Sequence, residues 1–457
     1  MTSTAMPPAG YLIKARVLDG TLAAPIAEGA VVVRGERIAW VGAARDLPPD
    51  AAAGDLVVID LPGRTVMPGL IDGHIHISFG EARSEEELAL YTPVEYRAIR
   101  AIWNARKVLR AGVTSAFDAA TTYNVAAAVR DAIEAGLYEG PRLAVSGRQI
   151  TSHQGLEDAF PSWMEFPPGQ AGVLVRSRDE IVEAIRLQAK DGVDAIKVSG
   201  SMDSAVSDVP IDGSAFTAEE FRLMADEAHR LQRRITVHAR SRESSLYCAQ
   251  AGFDVLMHAS YIDDAGIEAC LSNKVAICPT LVLLTNILDS SQGSVGASIV
   301  DVFRREVDAA AANLSRAYRA GVPLICGSES GWSLVPYGQW HAKEIQTFVE
   351  LLGLTPLEAI NAATGAAASM LPKWADRIGR LEAGRLADLI LLPGDPSTDV
   401  TLLQRPSRFD LVMKSGRPVE RDEPIAPRRV WPFEKHKTYL SGRFAFDEAT
   451  GRGSVVP

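Results

Sequence analysis

The feature that most constrains the fold is a repeated alternation of short apolar strands and helices through the middle of the chain. Several of the helical segments end in an Ala-Gly or Asp-Gly step, which fits glycine at a helix C-cap. Eight such units over about 300 residues match the number of units and the length of a (β/α)8 barrel. The predicted barrel strands are Val66–Ile71, Thr114–Phe117, Arg142–Ser146, Asp194–Val198, Arg234–His238, Asp254–His258, Val275–Cys278 and Val322–Cys326.

The helices predicted between these strands include Pro93–Ala111, Asp179–Lys190, Thr217–Leu231, Glu243–Ala251 and Val300–Ala320. A doubly wound sheet is the alternative α/β architecture. It would require a glycine-rich phosphate-binding loop after the first strand, and the sequence has none there.

The two chain ends predict a second, smaller β domain. Four short strands punctuated by Gly, Pro and Asp are predicted at Tyr11–Leu18, Ala30–Gly35, Arg37–Gly42 and Leu56–Ile59. Further strands are predicted near the other end, at Leu389–Leu392 and Asp410–Lys414. We therefore predict an α/β protein in which residues 66–379 form a (β/α)8 TIM barrel, residues 1–65 and 380–430 form a small β-sandwich domain, and residues 431–457 form a C-terminal tail. The tail is long enough to cover a neighbouring subunit.

Composition excludes several classes of partner. The formal net charge is −10, and no basic stripe is available to neutralise the phosphates of a nucleic acid. No apolar stretch approaches the roughly 18 residues needed to span a bilayer, and Met1–Gly10 lacks the pattern of a secretion signal. We expect a cytoplasmic protein with a small-molecule substrate. The cysteines show no CxxC spacing and lie in apolar surroundings, which indicates buried free thiols at Cys248, Cys270, Cys278 and Cys326.

The chemically informative residues lie at the C-terminal ends of the predicted strands, where barrel enzymes gather their catalytic groups. The first strand leads into His74 and His76, and alternate residues of a strand point to the same side, so both imidazoles could face one metal ion. Metal-competent side chains stand at five of the eight strand ends, namely His74 with His76, Lys197, His238, His258 and Glu329.

Each of these residues also has a structural interpretation. Taken singly, His238 and His258 would be satisfied core histidines, and Glu329 would be a surface acid or a carboxylate at a helix N-terminus. Lys197 is harder to explain in this way, because a lysine in an apolar strand is rarely buried unless it is paired. Burial lowers the pKa of a lysine toward that of a free amine. The remaining histidines are interpreted as structural or surface residues, namely His229, His341 and His436.

Taken together, these residues resemble the amidohydrolase superfamily, and the resemblance covers nearly the whole chain. Members of that superfamily carry a His-x-His after strand one, a lysine after strand four, single histidines after strands five and six, and an acid after strand eight. The stretches 355–365 and 378–389 are also similar to the family, and the second leads back into the small β domain. The local sequence looks closest to the branch with imidazolonepropionase-like and prolidase-like enzymes and ochratoxin-cleaving amidases.

The resemblance implies a metal-dependent hydrolase that cleaves a C–N amide-type bond in a dipeptide, an N-acyl amino acid or a related amide. It implies two divalent metal ions with a bridging hydroxide, and a carbamate formed from CO2 on the lysine. Such ligands suit zinc, with manganese, cobalt or nickel as alternatives. Relatives are commonly dimers to octamers, so a homo-oligomer is expected. The implied ligands are His74, His76 and Glu329 for one metal ion, His238 and His258 for the other, and Lys197 between them.

One departure from the family concerns the acid after strand eight. The family usually has Asp in a Gly-Thr-Asp run, and this chain has Gly327-Ser328-Glu329. Glutamate keeps the charge and reaches one methylene further, and a shift of about 1 Å can cost about a hundredfold in rate. Either the metal ions lie differently, or Glu329 binds metal weakly and acts mainly as the proton shuttle, or activity has been lost.

Substrate-binding residues follow from the same strand ends. His153 lies after strand three, where relatives carry a His-Gly element, so it is predicted as a catalytic residue that stabilises an oxyanion, with a plain loop histidine as the alternative. Arg240 would pair with a substrate carboxylate or else face solvent. Tyr261 and Trp332 follow strands six and eight and would wall an apolar or aromatic pocket.

Other functions stay open at this point. A carbamate, urea or cyclic-amide hydrolase and a deaminase are the alternatives among enzymes. Deaminase relatives usually lack the lysine and place a glutamate three residues after the strand-five histidine, where this chain has Ser241. A non-catalytic homologue that keeps the fold as an assembly module is the alternative of another class, and the intact His and Lys set argues against it.

Overall fold

The computed structural model describes residues 9–202, 213–290 and 297–422, together with Phe446. Within these ranges the chain forms an α/β barrel and a β domain that draws strands from both chain ends, as the sequence predicted. The predicted tail 431–457, with His436, lies outside the described residues apart from Phe446. The residue limits assigned to the domains stay a prediction.

Most predicted elements agree with the secondary structure to within a few residues, with two exceptions. The first predicted barrel strand is divided at Gly69, and its first part continues the predicted strand Leu56–Ile59 as one long strand. The predicted eighth strand, Val322–Cys326, forms only an isolated bridge. The strands are β1 (Gly10–Val17), β2 (Ile26–Arg34), β3 (Arg37–Ala43), β4 (Leu56–Pro68), β5 (Leu70–Ile75), β6 (Val113–Asp118), β7 (Arg142–Val145), β8 (Gln149–Thr151), β9 (Gly172–Leu174), β10 (Ala195–Ser199), β11 (Arg234–Ala239), β12 (Val255–His258), β13 (Ala276–Cys278), β14 (Leu389–Pro393), β15 (Leu411–Lys414) and β16 (Arg417–Pro418). The helices are α1 (Glu85–Leu90), α2 (Val94–Arg110), α3 (Val125–Glu134), α4 (Arg178–Lys190), α5 (Ala218–Arg230), α6 (Arg242–Ala251), α7 (Asp264–Asn273), α8 (Leu281–Ser290), α9 (Ala297–Ala320), α10 (Lys343–Leu352) and α11 (Pro356–Ala362).

Both chain ends contribute to one seven-stranded sheet, in the order β16-β15-β14-β4-β1-β2-β3. Strand β14 pairs antiparallel with the end of β4, with Leu389 opposite Pro68, and β1 pairs parallel with β4 on its other side. One face of the sheet buries a core that includes Ile13, Val31 and Leu389. Strand β4 therefore joins the two chain ends and leads directly into the barrel.

The barrel consists of parallel strands that form two hydrogen-bonded groups, β5-β6-β7 and β13-β12-β11-β10-β8, with β9 added outside β8. The Asp194 amide donates to the Val145 carbonyl at 2.8 Å and connects the two groups. The predicted eighth strand is very short. Leu324 pairs in parallel with Ile277, and the Gly73 amide donates to the Cys326 carbonyl at 2.8 Å, which closes the barrel against β5.

The helices that connect the strands begin and end at residues typical of helix caps. Thr217 and Glu220 form a capping box at the start of α5. Gly252 ends α6 in the left-handed conformation with φ 79°, as the Ala-Gly step predicted. Because each helix returns the chain for another parallel strand, the C-terminal ends of all the barrel strands open on one face.

Two expectations from composition can be compared with the fold. All four cysteines are buried and free. Among the described residues, none of the helices combines the length and the apolar character that crossing a membrane requires.

Candidate metal centre

Three side chains converge at the junction of β5 with the segment after the short eighth strand. His74 and His76 are buried, and their Nε2 atoms are 3.2 Å apart. Glu329 places Oε2 3.1 Å from His74 Nε2 and Oε1 3.3 Å from His76 Nε2. One ligand atom from each residue lies within 4.8 Å of the others, so the trio could hold a metal ion.

A second pair of histidines faces this trio from neighbouring strands. The rings of His238 on β11 and His258 on β12 have centroids 4.5 Å apart, and the His258 ring lies 5.5 Å from that of His74. Lys197 on β10 is also buried, and its charge acts on the pKa values of His238 and Glu329. The structure therefore brings all six predicted ligand residues into one buried region at the mouth of the barrel.

Burial determines the charge state of most of these histidines. It lowers the pKa of His74, His238 and His258 well below the ordinary value, because an imidazolium is poorly solvated in the interior. These three rings are therefore neutral at pH 7. A neutral imidazole is the form that binds a metal ion.

Partners on the second ring nitrogen orient two of the histidines. His76 Nδ1 donates to the Ala120 carbonyl at 3.1 Å, which leaves the lone pair on Nε2. His258 Nδ1 lies 2.6 Å from the Thr280 hydroxyl, which itself donates to the Pro279 carbonyl at 2.7 Å. Because the Thr280 hydroxyl uses its proton in the bond to the Pro279 carbonyl, His258 Nδ1 must donate to the hydroxyl oxygen. The Nε2 atom of His258 therefore also carries a free lone pair.

The donor atoms of the second pair fit a metal ion. Nε2 of His238 and Nε2 of His258 are buried and have no hydrogen-bond partner among the described residues. Buried polar groups are nearly always satisfied, so two adjacent orphaned lone pairs need an explanation. A cation bound between them would provide it, and the first trio offers the same mixture of imidazole and carboxylate ligands.

Burial also lowers the pKa of Lys197, to about 8, although Glu329, Cys278 and Glu157 act in the opposite direction. An amine with this pKa is partly neutral at physiological pH. The neutral amine is the nucleophilic form of lysine.

Glu329 has an unusual backbone and a favourable charge environment. Its φ of 59° is left-handed, which is uncommon for a residue other than glycine. Burial acts to raise the pKa of Glu329, but His74, His76 and Lys197 outweigh it and hold the pKa below the ordinary value. The carboxylate is therefore ionised where it contacts the two imidazoles.

An aromatic wall lies beside the histidine trio. Phe79 stacks on the His76 ring with centroids 4.2 Å apart, and Trp332 meets Phe79 edge-on at 5.1 Å. Tyr261 is half-buried after β12, and its amide donates to the Arg240 carbonyl at 3.0 Å. Trp332 is thus connected through Phe79 to His76, one of the predicted metal ligands, and no sequence pattern marked Phe79.

Arg240 does not face solvent, so that alternative is wrong. It is buried, and its Nη1 lies 2.5 Å from Glu306 Oε1 on α9. His153, in contrast, has a side chain that is 61% exposed, with Nδ1 3.2 Å from Asp158 Oδ2. The structure exposes His153 on the loop after β8, and its role as an oxyanion donor stays a prediction.

Sequence reasoning missed two buried residues beside the trio. Asp72 lies two positions before His74, and this closeness is a signal that could have drawn attention to it. His341, interpreted from the sequence as a structural or surface residue, places Nδ1 2.6 Å from Asp72 Oδ2. No local pattern marks His341.

Comparison with known proteins gives matches over most of the chain. Residues 65–419 match the model of the Amidohydrolase family. The ochratoxinase of Aspergillus niger is 28% identical over 415 residues, which cover 86% of this chain and 83% of that protein. The imidazolonepropionase of Anaeromyxobacter sp. (strain K) is 26% identical over 386 residues, which cover 79% of this chain and 83% of that protein.

Solved structures are similar over a comparable span. A crystal structure of the A. niger ochratoxinase has a TM-score of 0.80 and 27% identity, covering 90% of this chain and 95% of that one. A crystal structure of a Xaa-Pro dipeptidase with bound methionine in the active site has a TM-score of 0.78 and 27% identity, covering 90% of this chain and 99% of that one.

Proposed function

Because this chain belongs to the amidohydrolase family and is a hydrolase of carbon–nitrogen bonds, we propose that it is a metal-dependent amidase acting on dipeptides or N-acyl amino acids. The observation that carries this proposal is the gathering of four histidines, one lysine and one glutamate in a single buried region at the barrel mouth. The similarity to an ochratoxinase and to a Xaa-Pro dipeptidase supports the choice of substrate class.

Two divalent cations, with zinc as the proposed ion, would be held by two sets of ligands. The imidazole and carboxylate donors suit zinc. When bound, two such cations lower the pKa of a shared water and polarise the scissile carbonyl. The proposed sets are His74, His76 and Glu329 for one ion, and His238 and His258 for the other.

Lys197 would be carboxylated and contribute to both sets. Its neutral amine would add to CO2 and release a proton to water, which would give a carbamate with two oxygens. An ammonium at this buried position would repel the cations, whereas a carbamate would provide a negative charge and oxygen ligands for them. The modification would explain why a lysine is buried on β10, because the carbamate of Lys197 would be a metal ligand.

Glu329 would move the proton during the reaction. Its ionised carboxylate takes a proton from the attacking water and delivers it to the leaving amine. The amide bond requires this delivery, because an unprotonated amine is a poor leaving group. The contacts of both Glu329 oxygens with His74 and His76 keep the carboxylate beside the proposed cation.

Substrate recognition would use the residues that surround the ligands. Trp332 and Tyr261 would wall the pocket for an apolar or aromatic group, and Arg240, whose charge acts on His238 and His258, would orient a substrate carboxylate. His153 would stabilise the oxyanion only if its loop turned the exposed ring toward the metal centre.

Metal analysis of the purified full-length chain tests this proposal. We expect about two bound divalent cations per chain, and fewer than about one would contradict a binuclear centre. The metal-reconstituted protein should then be offered N-acyl amino acids, dipeptides, carbamates and aryl ureas under identical conditions. We expect the amides to be turned over faster than the other compounds. Turnover of only the ureas or the carbamates would contradict the proposed substrate class and indicate a urea or carbamate hydrolase.

A further inference from the structure

The turn that carries Glu329 is hydrogen-bonded to the C-terminal end of β5 and to the residue that follows it. The Glu329 amide donates to the His74 carbonyl at 2.8 Å, and the His76 amide donates to the Ser330 carbonyl at 2.7 Å. Gly327 allows this close approach, since a Cβ atom there would lie only 2.7 Å from His74 Cβ. The position of the carboxylate therefore depends on how the turn meets the strand that carries the histidines.

Asp72 connects the same two segments through its side chain. Its Oδ1 accepts a hydrogen bond from the His74 amide at 3.1 Å and another from the Ser328 amide at 3.0 Å. Asp72 Oδ1 thus links Ser328, the residue before Glu329, to His74 through two hydrogen bonds. The Ser328 hydroxyl in turn accepts from the Ser330 amide at 3.1 Å, so both neighbours of Glu329 are fixed.

His341 makes a hydrogen bond to Oδ2, the other carboxylate oxygen of Asp72. Its Nδ1 lies 2.6 Å from Asp72 Oδ2, and its Nε2 accepts a hydrogen bond from the Gly338 amide at 2.9 Å. Because Nε2 is an acceptor, the ring proton is on Nδ1 and is donated to Asp72. Asp72 is therefore a buried carboxylate with three donors directed at it, and none of these donors is metal-bound in the proposed centre.

We propose that Asp72 and His341 are positioning residues that hold the left-handed turn of Glu329 so that its carboxylate contacts His74 and His76 together. This inference rests on the proposed metal centre. A glutamate side chain has three rotatable bonds, and a left-handed backbone at such a residue persists only when its surroundings impose it. The hydrogen bonds through Asp72 supply that constraint from β5, and those through His341 supply it from the segment before α10.

The chemistry of Asp72 makes the proposal sensitive to an isosteric change. In Asp72→Asn the side chain keeps its shape, but its NH2 group must face either the His341 Nδ1–H or the two backbone amides. A change of the His341 tautomer does not relieve this conflict, because Nε2–H would then face the Gly338 amide. Loss of an outer hydrogen bond to a metal site typically costs about 10- to 100-fold in metal affinity.

Titration of the metal-free full-length chain with Co2+ tests the proposal, with visible absorption as the readout of ligand geometry. We expect Asp72→Asn and His341→Ala to bind Co2+ about 10- to 100-fold more weakly and to show altered absorption bands. His341→Asn should restore affinity and bands, because the asparagine amide places a donor near the position of Nδ1. Should Asp72→Asn fail to fold, the contrast between the two His341 variants decides the question.

A matched control is available at the opposite end of the barrel. Asp388 is a similarly buried carboxylate that accepts hydrogen bonds from Arg142 and from the Ser415 amide. Asp388→Asn should lower stability and leave Co2+ affinity and absorption unchanged. Unaltered Co2+ binding in folded Asp72→Asn and His341→Ala would overturn the positioning role. An unsubstituted chain that binds no Co2+ would instead overturn the metal centre, and the positioning role with it.

Discussion

Both ends of the barrel bury polar side chains, and the ends differ in whether the protein supplies every hydrogen-bond partner of those side chains. At the base, Arg142 Nη1 lies 2.5 Å from Asp388 Oδ2, and Nη2 donates to the Ser415 hydroxyl at 2.9 Å. At the mouth, Nε2 of His238 and of His258 has no hydrogen-bond partner in the described parts of the chain. Burial is nearly complete in both places, so burial alone does not separate them.

The difference lies in what each end still needs. A buried charge whose partners are all supplied by the protein needs no further ligand, and removal of one partner is strongly destabilising. A buried set of lone pairs without donors has a deficit that a cation can fill. The base therefore fits a structural ion pair and the mouth fits the proposed ligand set, and four substitutions can separate these roles.

The largest effect is expected at the mouth, for Lys197→Ala. Loss of the proposed carbamate ligand should reduce kcat/KM on the order of 10⁴-fold or more, the scale found when one member of a catalytic unit is removed. Lys190→Ala, at an exposed lysine at the end of α4, is the control and should behave as the unsubstituted protein. Steady-state kinetics and metal content are the measurements, and retention of most activity in Lys197→Ala would remove the carbamate from the mechanism.

The base should respond in stability and not in turnover. Arg142→Met leaves the Asp388 carboxylate buried without its cation, and we expect a loss of about 3–5 kcal/mol in the free energy of unfolding. Chemical denaturation measures this loss, and kcat per folded molecule should stay unchanged. A fall in kcat for a fully folded Arg142→Met protein would show that the two ends are not separate.

A smaller effect at the mouth is expected for Glu329→Asp. Withdrawal of the carboxylate by one methylene, about 1 Å, should lower kcat about a hundredfold, because the turn holds the backbone for the longer side chain. Glu329→Gln, which removes the proton acceptor, is the comparison and should lose more. If Glu329→Asp were as fast as the unsubstituted enzyme, the length of the glutamate side chain would not matter for the position of its carboxylate.

The smallest effect concerns a partly exposed ion pair at the base. His229 on α5 places Nε2 3.1 Å from Asp254 Oδ2, and this hydrogen bond raises the pKa of His229 above its ordinary value. The stabilisation is therefore present below about pH 6.5 and is lost as the pH rises through the raised pKa. Because His229 is solvent-accessible, we expect no more than about 1 kcal/mol.

This contribution is measured by chemical denaturation of the unsubstituted protein and of His229→Gln at pH values from about 5 to about 9, in steps of roughly one unit. The quantity compared is the free energy of unfolding of the two proteins. The stability difference should shrink toward alkaline pH and at high salt. A difference that grew as the pH rose would have the wrong sign for a protonated histidine.

The fold was largely predictable because the alternation of strands and helices is local. The strand predicted at Thr114–Phe117 is β6, and the helix predicted at Pro93–Ala111 is α2. The resemblance to the amidohydrolase superfamily, and to its imidazolonepropionase-like, prolidase-like and ochratoxin-cleaving branch, is confirmed by the family match and the similar proteins. The predicted ligand residues lie close together because a barrel places all its strand ends on one face, so their positions follow from the strand boundaries.

The surroundings of the site could not be predicted in the same way. Asp72 and His341 are 269 positions apart, and Arg240 and Glu306 are 66 apart, so no periodic pattern connects either pair. The left-handed backbone of Glu329 is equally invisible, because a glutamate gives no sign of positive φ as a glycine would. These features arise only when distant segments are packed together.

The shared sheet of the β domain has a consequence for how the protein is made. Strand β4 is synthesised early, but its neighbour β14 comes much later, as the hydrogen bond from Thr65 to Gly394 across 329 positions illustrates. At about 5–20 residues per second a ribosome needs tens of seconds to cover that interval. Throughout it one edge of β4 has no strand to pair with, and an open edge invites aggregation. The predicted ligand residues from His74 to Glu329 all emerge within the same interval, so the barrel mouth can assemble before the sheet at the other end closes.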